Sequence, residues 1–206
     1  MLKRSSHTPK PPRLTLAVAK LFPAPGDWSE DEYLALPGNR IVELSDGKLV
    51  VPDLPSDPHQ YAVFEFAVAL RAFVKAGGLG QVRTVPLPVR LGAGKFREPD
   101  VLFMSQRHDD RRARDYWGVP DLVMEVISPR TKHSSGTESN DRKTKFTEYA
   151  QAGVSEYWIV ETTPSVEVYA LHDKEYSMVG RWGAGQEAKS QLLIGFSVAV
   201  SNLVEA

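Results

Sequence analysis

Apolar residues along the chain fall into runs whose spacing changes from irregular to helical to extended. Before Ser29 the pattern is Pro-rich and irregular. Ser29 and Glu32 then stand at capping-box spacing, with Trp28 and Tyr33 at the flanking staple positions, which predicts a short helix to about Leu36. Arg40 to Val51 reads as two strands around Asp46-Gly47, a dipeptide that readily takes the positive φ angles of a tight hairpin turn. Asp57 reads as the cap of a helix with Pro58 and His59 in its first turn. Val63, Phe66, Ala67, Leu70 and Val74 recur there at helical spacing until Gly77-Gly78 stops it.

From Leu79 the pattern turns extended, with Gly80 to Leu91 and Glu98 to Met104 read as segments joined by a hairpin loop at Gly92-Ala93-Gly94. Ser105 to Gly118 is polar and Arg-rich, and Asp121 to Ile127 reads as a mostly apolar, buried strand ended by Ser128-Pro129. Arg130 to Asn140, rich in Ser, Thr, Lys and Gly, reads as a mobile loop; a helix from about Asp141 to Ala152 follows, with Gly153 as its stop. Ser155 to Glu161 is a further strand, Val166 to Val179 a hairpin, and a last pair of short strands lies around Gly195. This order predicts an α/β or α+β arrangement, a central mixed sheet flanked by helices with additional hairpins.

The length of 206 residues suits one domain. Residues 28–206 are expected to form it, behind a flexible, basic, Pro-rich segment over 1–27. With 42% hydrophobic and 25% charged residues the composition is that of an ordinary globular chain. No apolar run approaches the ~20 residues that cross a bilayer, and the basic start lacks the apolar core of a secretory signal. A cytoplasmic protein with no membrane attachment is the expectation. The absence of cysteine excludes disulfides, thiolate metal sites and cysteine nucleophiles, so a metal would be held by oxygen or imidazole. A formal net charge of −1 gives no argument for nucleic-acid binding from bulk charge. Basic residues do cluster locally, at Lys3, Arg4, Lys10, Arg13 and Lys20 and again between Arg130 and Lys145.

Glu125 sits inside the apolar run Leu122 to Ile127, where an unpaired buried carboxylate would cost several kcal/mol. Either its strand face is half-exposed, or it pairs with an arginine, or it belongs to a site. Asp100, after Pro99 and before Val101 to Met104, starts another apolar strand that could lie beside it. Two such carboxylates suit a hard divalent cation, since Mg²⁺ takes oxygen ligands and is commonly held by one or two carboxylates plus waters and phosphate. Asp121 shares a strand face with Glu125 but lies about 13 Å away at ~3.3 Å per residue, which makes it a supporting or turn residue.

Pro99-Asp100 followed after twenty-five residues by Glu125-Val126-Ile127 resembles the PD-(D/E)xK nuclease superfamily, the restriction-endonuclease-like fold. Four further segments accompany it: Val42 to Val50, Ser56 to Gln60, Pro120 to Pro129, and Lys145 to Glu161. Together they resemble the Uma-type restriction endonuclease family, from about Trp28 to the carboxyl terminus. The resemblance implies a Mg²⁺-dependent endonuclease, with Mn²⁺ as a substitute, acting on nucleic acid and in the first place DNA. Asp100 and Glu125 would hold the metal, helped by the Val126 carbonyl and by Glu43, directly or through water. Glu43 is otherwise a surface strand acid. The lysine of the superfamily, two residues after the glutamate, is Ile127 here. In related families the following helix supplies it, and Asp141, Lys145 and Tyr149 fall at i, i+4 and i+8. Lys145 is the candidate, its alternative being a solvated lysine paired along the helix, and Lys143 is the weaker substitute. The resemblance also gives His59 a role; at a helix N-terminus it tends to stay neutral and could accept a hydrogen bond or touch phosphate. A homodimer is implied too, because cutting both strands needs two sites.

Tyr157 and Trp158 lie in an apolar strand and read as core, not as base-stacking platforms. Arg107, Arg111, Arg112 and Arg114, with Arg130, Lys132 and His133, read as solvated loops or as phosphate contacts flanking a cleft. Ile127 and the near-neutral charge favour the rival class, a catalytically weak or inactive nuclease-fold module that binds nucleic acid or a protein partner. An enzyme of other phosphate esters is a third reading.

Overall fold

The computed structural model describes residues 23–36, 41–52, 54–127 and 140–204, with the backbone alone at 140 and 141. The start of the expected amino-terminal segment, Ser128-Pro129 and the loop bearing Arg130, Lys132 and His133 lie outside the described residues.

Helix α1 (Glu30–Leu34) begins at the expected capping box, with the Glu32 N–H donating to Ser29 Oγ at 3.2 Å and the Ser29 N–H to Glu32 Oε2 at 2.9 Å. Trp28 and Tyr33 join Val42, Leu44 and Phe96 in a small apolar cluster. Strands β1 (Glu43–Ser45) and β2 (Lys48–Val50) form the expected hairpin. Its two turn residues, Asp46 at φ 49° and Gly47 at φ 75°, are both left-handed, as a two-residue turn between twisted strands requires. Helix α2 (Asp57–Gly77) starts one residue earlier than the reading of Asp57 as cap. Ser56 is the N-cap, its hydroxyl accepting the His59 N–H at 3.4 Å, while Asp57 is already helical and places its charge at the positive end of the dipole. Gly78, left-handed at φ 59°, closes the helix.

The remaining strands are β3 (Gly80–Thr84), β4 (Val89–Gly92), β5 (Lys95–Arg97), β6 (Val101–Ser105), β7 (Leu122–Ile127), β8 (Glu156–Glu161), β9 (Ser165–His172), β10 (Glu175–Gly183), β11 (Glu187–Lys189) and β12 (Ser197–Ala199). Six make the central sheet in the order β10-β9-β8-β7-β6-β3, mixed because β7 and β8 run parallel. Four make a smaller sheet, β2-β1-β5-β4, and β11 pairs β12. The extended run read from Gly80 to Leu91 is therefore two strands in different sheets. Pro86, with no N–H to donate, stands where the chain leaves one ladder for the other. The Gly92-Ala93-Gly94 hairpin joins β4 to β5 instead of reaching the Asp100 strand, and the chain crosses back to the central sheet through Glu98-Pro99-Asp100.

Side chains alternate along β7. Leu122, Met124 and Val126 pack against α2 through Phe66 and Leu70, whereas Val123 and Ile127 pack on the opposite face with Tyr149, Val154 and Tyr157. That second face is covered by α3 (Phe146–Ala152), which follows a π-helical turn over Asn140–Lys145 where an α-helical start was expected. Gly153, left-handed at φ 97°, ends it. Helices on both faces of a mixed sheet, with hairpins appended, are the fold class read from the sequence. The Arg-rich segment after β6 is a 3-10 helix, Gln106–Arg111, where irregular chain was expected. Among the described residues no helix is long and apolar enough to cross a membrane.

Candidate active site

The two sheets meet at the crossover Arg97 to Asp100, and four acids from three elements converge there. Glu43 comes from β1, Glu98 and Asp100 from the crossover, and Glu125 from β7; all four are buried. With His59 of α2 and Lys145 of the π turn they line a pocket of roughly 70 Å³. β6 pairs with β7 only as far as Met124, leaving the edge of β7 open beside Asp100. Asp100 takes the place of the missing strand, its Oδ2 accepting the Val126 N–H at 2.8 Å. The N–H and C=O of one strand residue face the same neighbour, so the Val126 carbonyl is turned to the Asp100 side as well. Asp100 Oδ1 stands 3.1 Å from His59 Nε2, which fixes the carboxylate's rotation.

Glu125 shares its strand face with Ile127, and that residue is packed in the core. The cation comes instead from the π turn: Lys145 Nζ donates to Glu125 Oε1 at 3.0 Å and lies 3.6 Å from Glu43 Oε1. Tyr149, one helical turn on, donates its hydroxyl to the same Glu125 oxygen at 2.7 Å. Burial and then the Glu125 charge push the Tyr149 phenol well above its ordinary pKa, which keeps it a donor. Lys143 is exposed and takes no part.

Behind the pocket Arg97, only 2% exposed, donates to Glu43 Oε2 at 2.7 Å and through Nε to Glu148 Oε2 at 2.7 Å. Burial acts against its charge, but Glu43 and Glu148 outweigh it and raise the guanidinium above its ordinary value. Burial likewise pushes Glu43 up, and Lys145 and Arg97 beside it reverse the sign and hold it below the usual carboxylate value. Glu98 goes the other way. Burial, and after it the Glu43 charge, push it to about 7 against the Val42 N–H and Lys145. Its Oε2 is buried without a hydrogen-bond partner among the described residues.

Asp100, Glu125, Lys145, Glu43 and His59, all singled out in the sequence, thus stand around one pocket. Asp121 lies away from it, accepting the Ser105 N–H and contacting His108 Nδ1, each at 2.7 Å, as a supporting residue. Arg112 lies over Trp117 and pairs with Asp109, Arg111 donates to the Val119 carbonyl, and Arg114 is exposed. Tyr157 and Trp158 are fully buried core. Sequence reasoning missed Glu98 and Arg97. The sign that could have found them is the alternation of charge in Arg97-Glu98-Pro99-Asp100 directly after an apolar position.

The donor set fits a hard divalent cation. Among the described residues four carboxylates face one ammonium across the pocket, a backbone carbonyl is turned toward them, and Glu98 Oε2 has no hydrogen-bond partner. Among the described residues no three His, Asp or Glu side chains are already gathered at ligand spacing. The acids are instead held by His59, Lys145, Arg97 and a backbone N–H.

A family model described as "Putative restriction endonuclease" (Uma2) matches residues 30–201. Among solved structures, that of a putative nuclease belonging to DUF820 from Anabaena variabilis ATCC 29413 superposes with a TM-score of 0.66 at 16% identity, over 85% of this chain and 97% of that one. No curated protein matches the chain.

Proposed function

The chain belongs to the Uma2 family, described as "Putative restriction endonuclease", and from that premise we propose that it is a Mg²⁺-dependent endonuclease hydrolysing phosphodiester bonds of DNA. The observation that carries the reading is the pocket at the junction of the sheets, with Glu43, Glu98, Asp100 and Glu125 set around Lys145. Asp100 and Glu125 would hold the cation, with the Val126 carbonyl and Glu98 as further oxygen donors and Mn²⁺ as a substitute ion. Bound there, such an ion supplies Lewis acidity toward a phosphoryl oxygen and lowers the pKa of a coordinated water.

The chain's own residues do the rest. His59 is a positioning residue, holding one oxygen of Asp100 while the Val126 N–H holds the other. Tyr149 positions Glu125. Lys145 takes the role of the lysine absent at Ile127: its ammonium, hydrogen-bonded to Glu125, orients a water toward phosphorus and offsets charge on the phosphoryl oxygens. Glu43, already bound to Arg97 and near Lys145, fixes the lysine rather than supplying a free ligand oxygen. In a homodimer two such pockets would serve the two strands of a duplex.

The test is cleavage of supercoiled plasmid, linear duplex, single-stranded DNA and RNA with Mg²⁺, Mn²⁺ or EDTA. Metal-dependent nicking of DNA is expected, falling more than about 100-fold in Asp100→Ala, Glu125→Ala and Lys145→Ala. Cutting that survives both carboxylate changes would remove the pocket from the chemistry. No cutting of any substrate, with nucleic acid still bound, would favour a binding module.

A further inference from the structure

The carboxylate pocket continues into a groove between α2 and the outer edge of β3. Gln60 and Val85 line both. Among the described residues β3 is the last strand of the central sheet and no strand pairs beyond it, so the groove, roughly 730 Å³ in its first part, lies open. Near the pocket it is apolar: Phe64 is 65% exposed and Val68 50%, one turn apart on the face of α2 turned to the groove. Farther on it is basic. Arg71 and Lys75 follow at one-turn spacing, and Arg83 projects from β3 opposite them.

None of these three cations makes an ion pair among the described residues. Arg83 donates to the Val82 carbonyl and to Gln81 Oε1 and lies over the Trp117 ring at 5.3 Å. Asp109, the acid bordering the far end, is already paired with Arg112. An amphipathic helix that presents two exposed apolar side chains and two unpaired cations to a facing arginine leaves positive charge uncompensated beside exposed carbon. In a chain of net charge −1 this is a local concentration and not an overall bias.

Resting on the nuclease reading, we propose that this groove binds the nucleic-acid strand on one side of the bond to be cut, with Phe64 and Val68 against base faces and Arg71, Lys75 and Arg83 on successive phosphates. Counting 1.5 Å per residue along α2, Arg71 lies about 16 Å from Gln60, a few nucleotides from the pocket. Charge decides the occupant. A second copy of this chain meeting the groove in a two-fold contact would set these cations against their own counterparts, whereas a phosphate backbone supplies the charge they lack. Bases offer apolar faces to aromatic side chains without regard to sequence.

The experiment is binding of labelled single-stranded and duplex oligonucleotides in EDTA, across a salt series, to the wild type and to the charge reversal Arg71→Glu/Lys75→Glu. A reversal of the same total charge on the opposite hairpin and the last strands, Lys174→Glu/Lys189→Glu, is the control. The groove variant should lose at least 10-fold in affinity and its slope of log K against log salt should drop by about two contacts' worth, with the control unchanged. Phe64→Ala should weaken single-strand binding more than duplex binding. Equal affinity and slope in wild type and groove variant, or equal losses in groove and control variants, would overturn the proposal even where the wild type cuts DNA. Binding lost only in the groove variant, with no cutting by the wild type, would uphold the groove and overturn the nuclease. A groove variant that changes the oligomeric mass and leaves affinity alone would make this a subunit interface.

Discussion

Glu98 is a pocket acid whose surroundings disfavour its charge. Its folded pKa of about 7 lies above its ordinary 4.5, because burial and the neighbouring Glu43 disfavour the anion. The fold therefore favours the protonated acid. Its contribution to stability is full below about pH 4.5 and is lost as pH rises through about 7, the loss approaching about 3 kcal/mol. Urea unfolding in EDTA from pH 4.5 to 8 should show the wild type losing this stability and Glu98→Gln losing much less. Parallel curves would place Glu98 in a more polar setting than the one described. At this scale the sequence is legible for residues whose chemistry conflicts with their surroundings. Glu125 inside Leu122 to Ile127 announces itself because an acid amid apolar neighbours demands a partner. Arg97 and Glu98 sit in charged company and leave only the fainter sign of alternating charge after Phe96, since their burial arises only when the small sheet packs against the crossover.

Elements built from neighbouring residues were readable for the same reason. The capping box of Ser29 and Glu32, the Asp46-Gly47 turn and the glycine stops at Gly78 and Gly153 are local devices whose geometry needs no tertiary contact. The break between β3 and β4 is not local. Both strands are extended, and only the partner strand tells one sheet from the other. The π turn before α3 is likewise invisible in the sequence, although it brings Lys145 onto Glu125; unwinding of this kind is common where a side chain must be aimed. β3 itself depends on Gly80, at φ 152°, whose missing Cβ leaves room for the Met104 carbonyl of the paired strand. Gly80→Ala combines an unfavourable φ with a backbone clash, so it should cost about 2 kcal/mol or more. Thermal unfolding measures this, and a Tm within a degree of wild type would mean that the β3 and β6 backbones separate without penalty.

At the scale of the whole molecule the pocket gathers four buried acids, so a cation bound there would be linked to folding. At a concentration one hundred times its Kd a ligand that binds only the native state adds about 2.7 kcal/mol. For a chain of about 200 residues that is a rise in Tm of roughly 5 to 10 °C. Mg²⁺ or Mn²⁺ should raise the Tm of the wild type by that order relative to EDTA, and Asp100→Asn/Glu125→Gln should lose the rise. An equal rise in both proteins would place the ion elsewhere.

α1, β1 and β2 rest on a cluster whose buried members are Tyr33, Val42, Leu44 and Phe96, far fewer than the side chains beneath α2. Little apolar area holds that lobe down, and Glu43 fastens it to Arg97 and Lys145. Ion pairs of this kind act as a latch on the unit with the least carbon to lose, so it is the natural first segment to come away in sub-global opening. Competence of the pocket would then fade before the sheet melts, and the working temperature of the protein would be set by its smallest cluster and not by its largest.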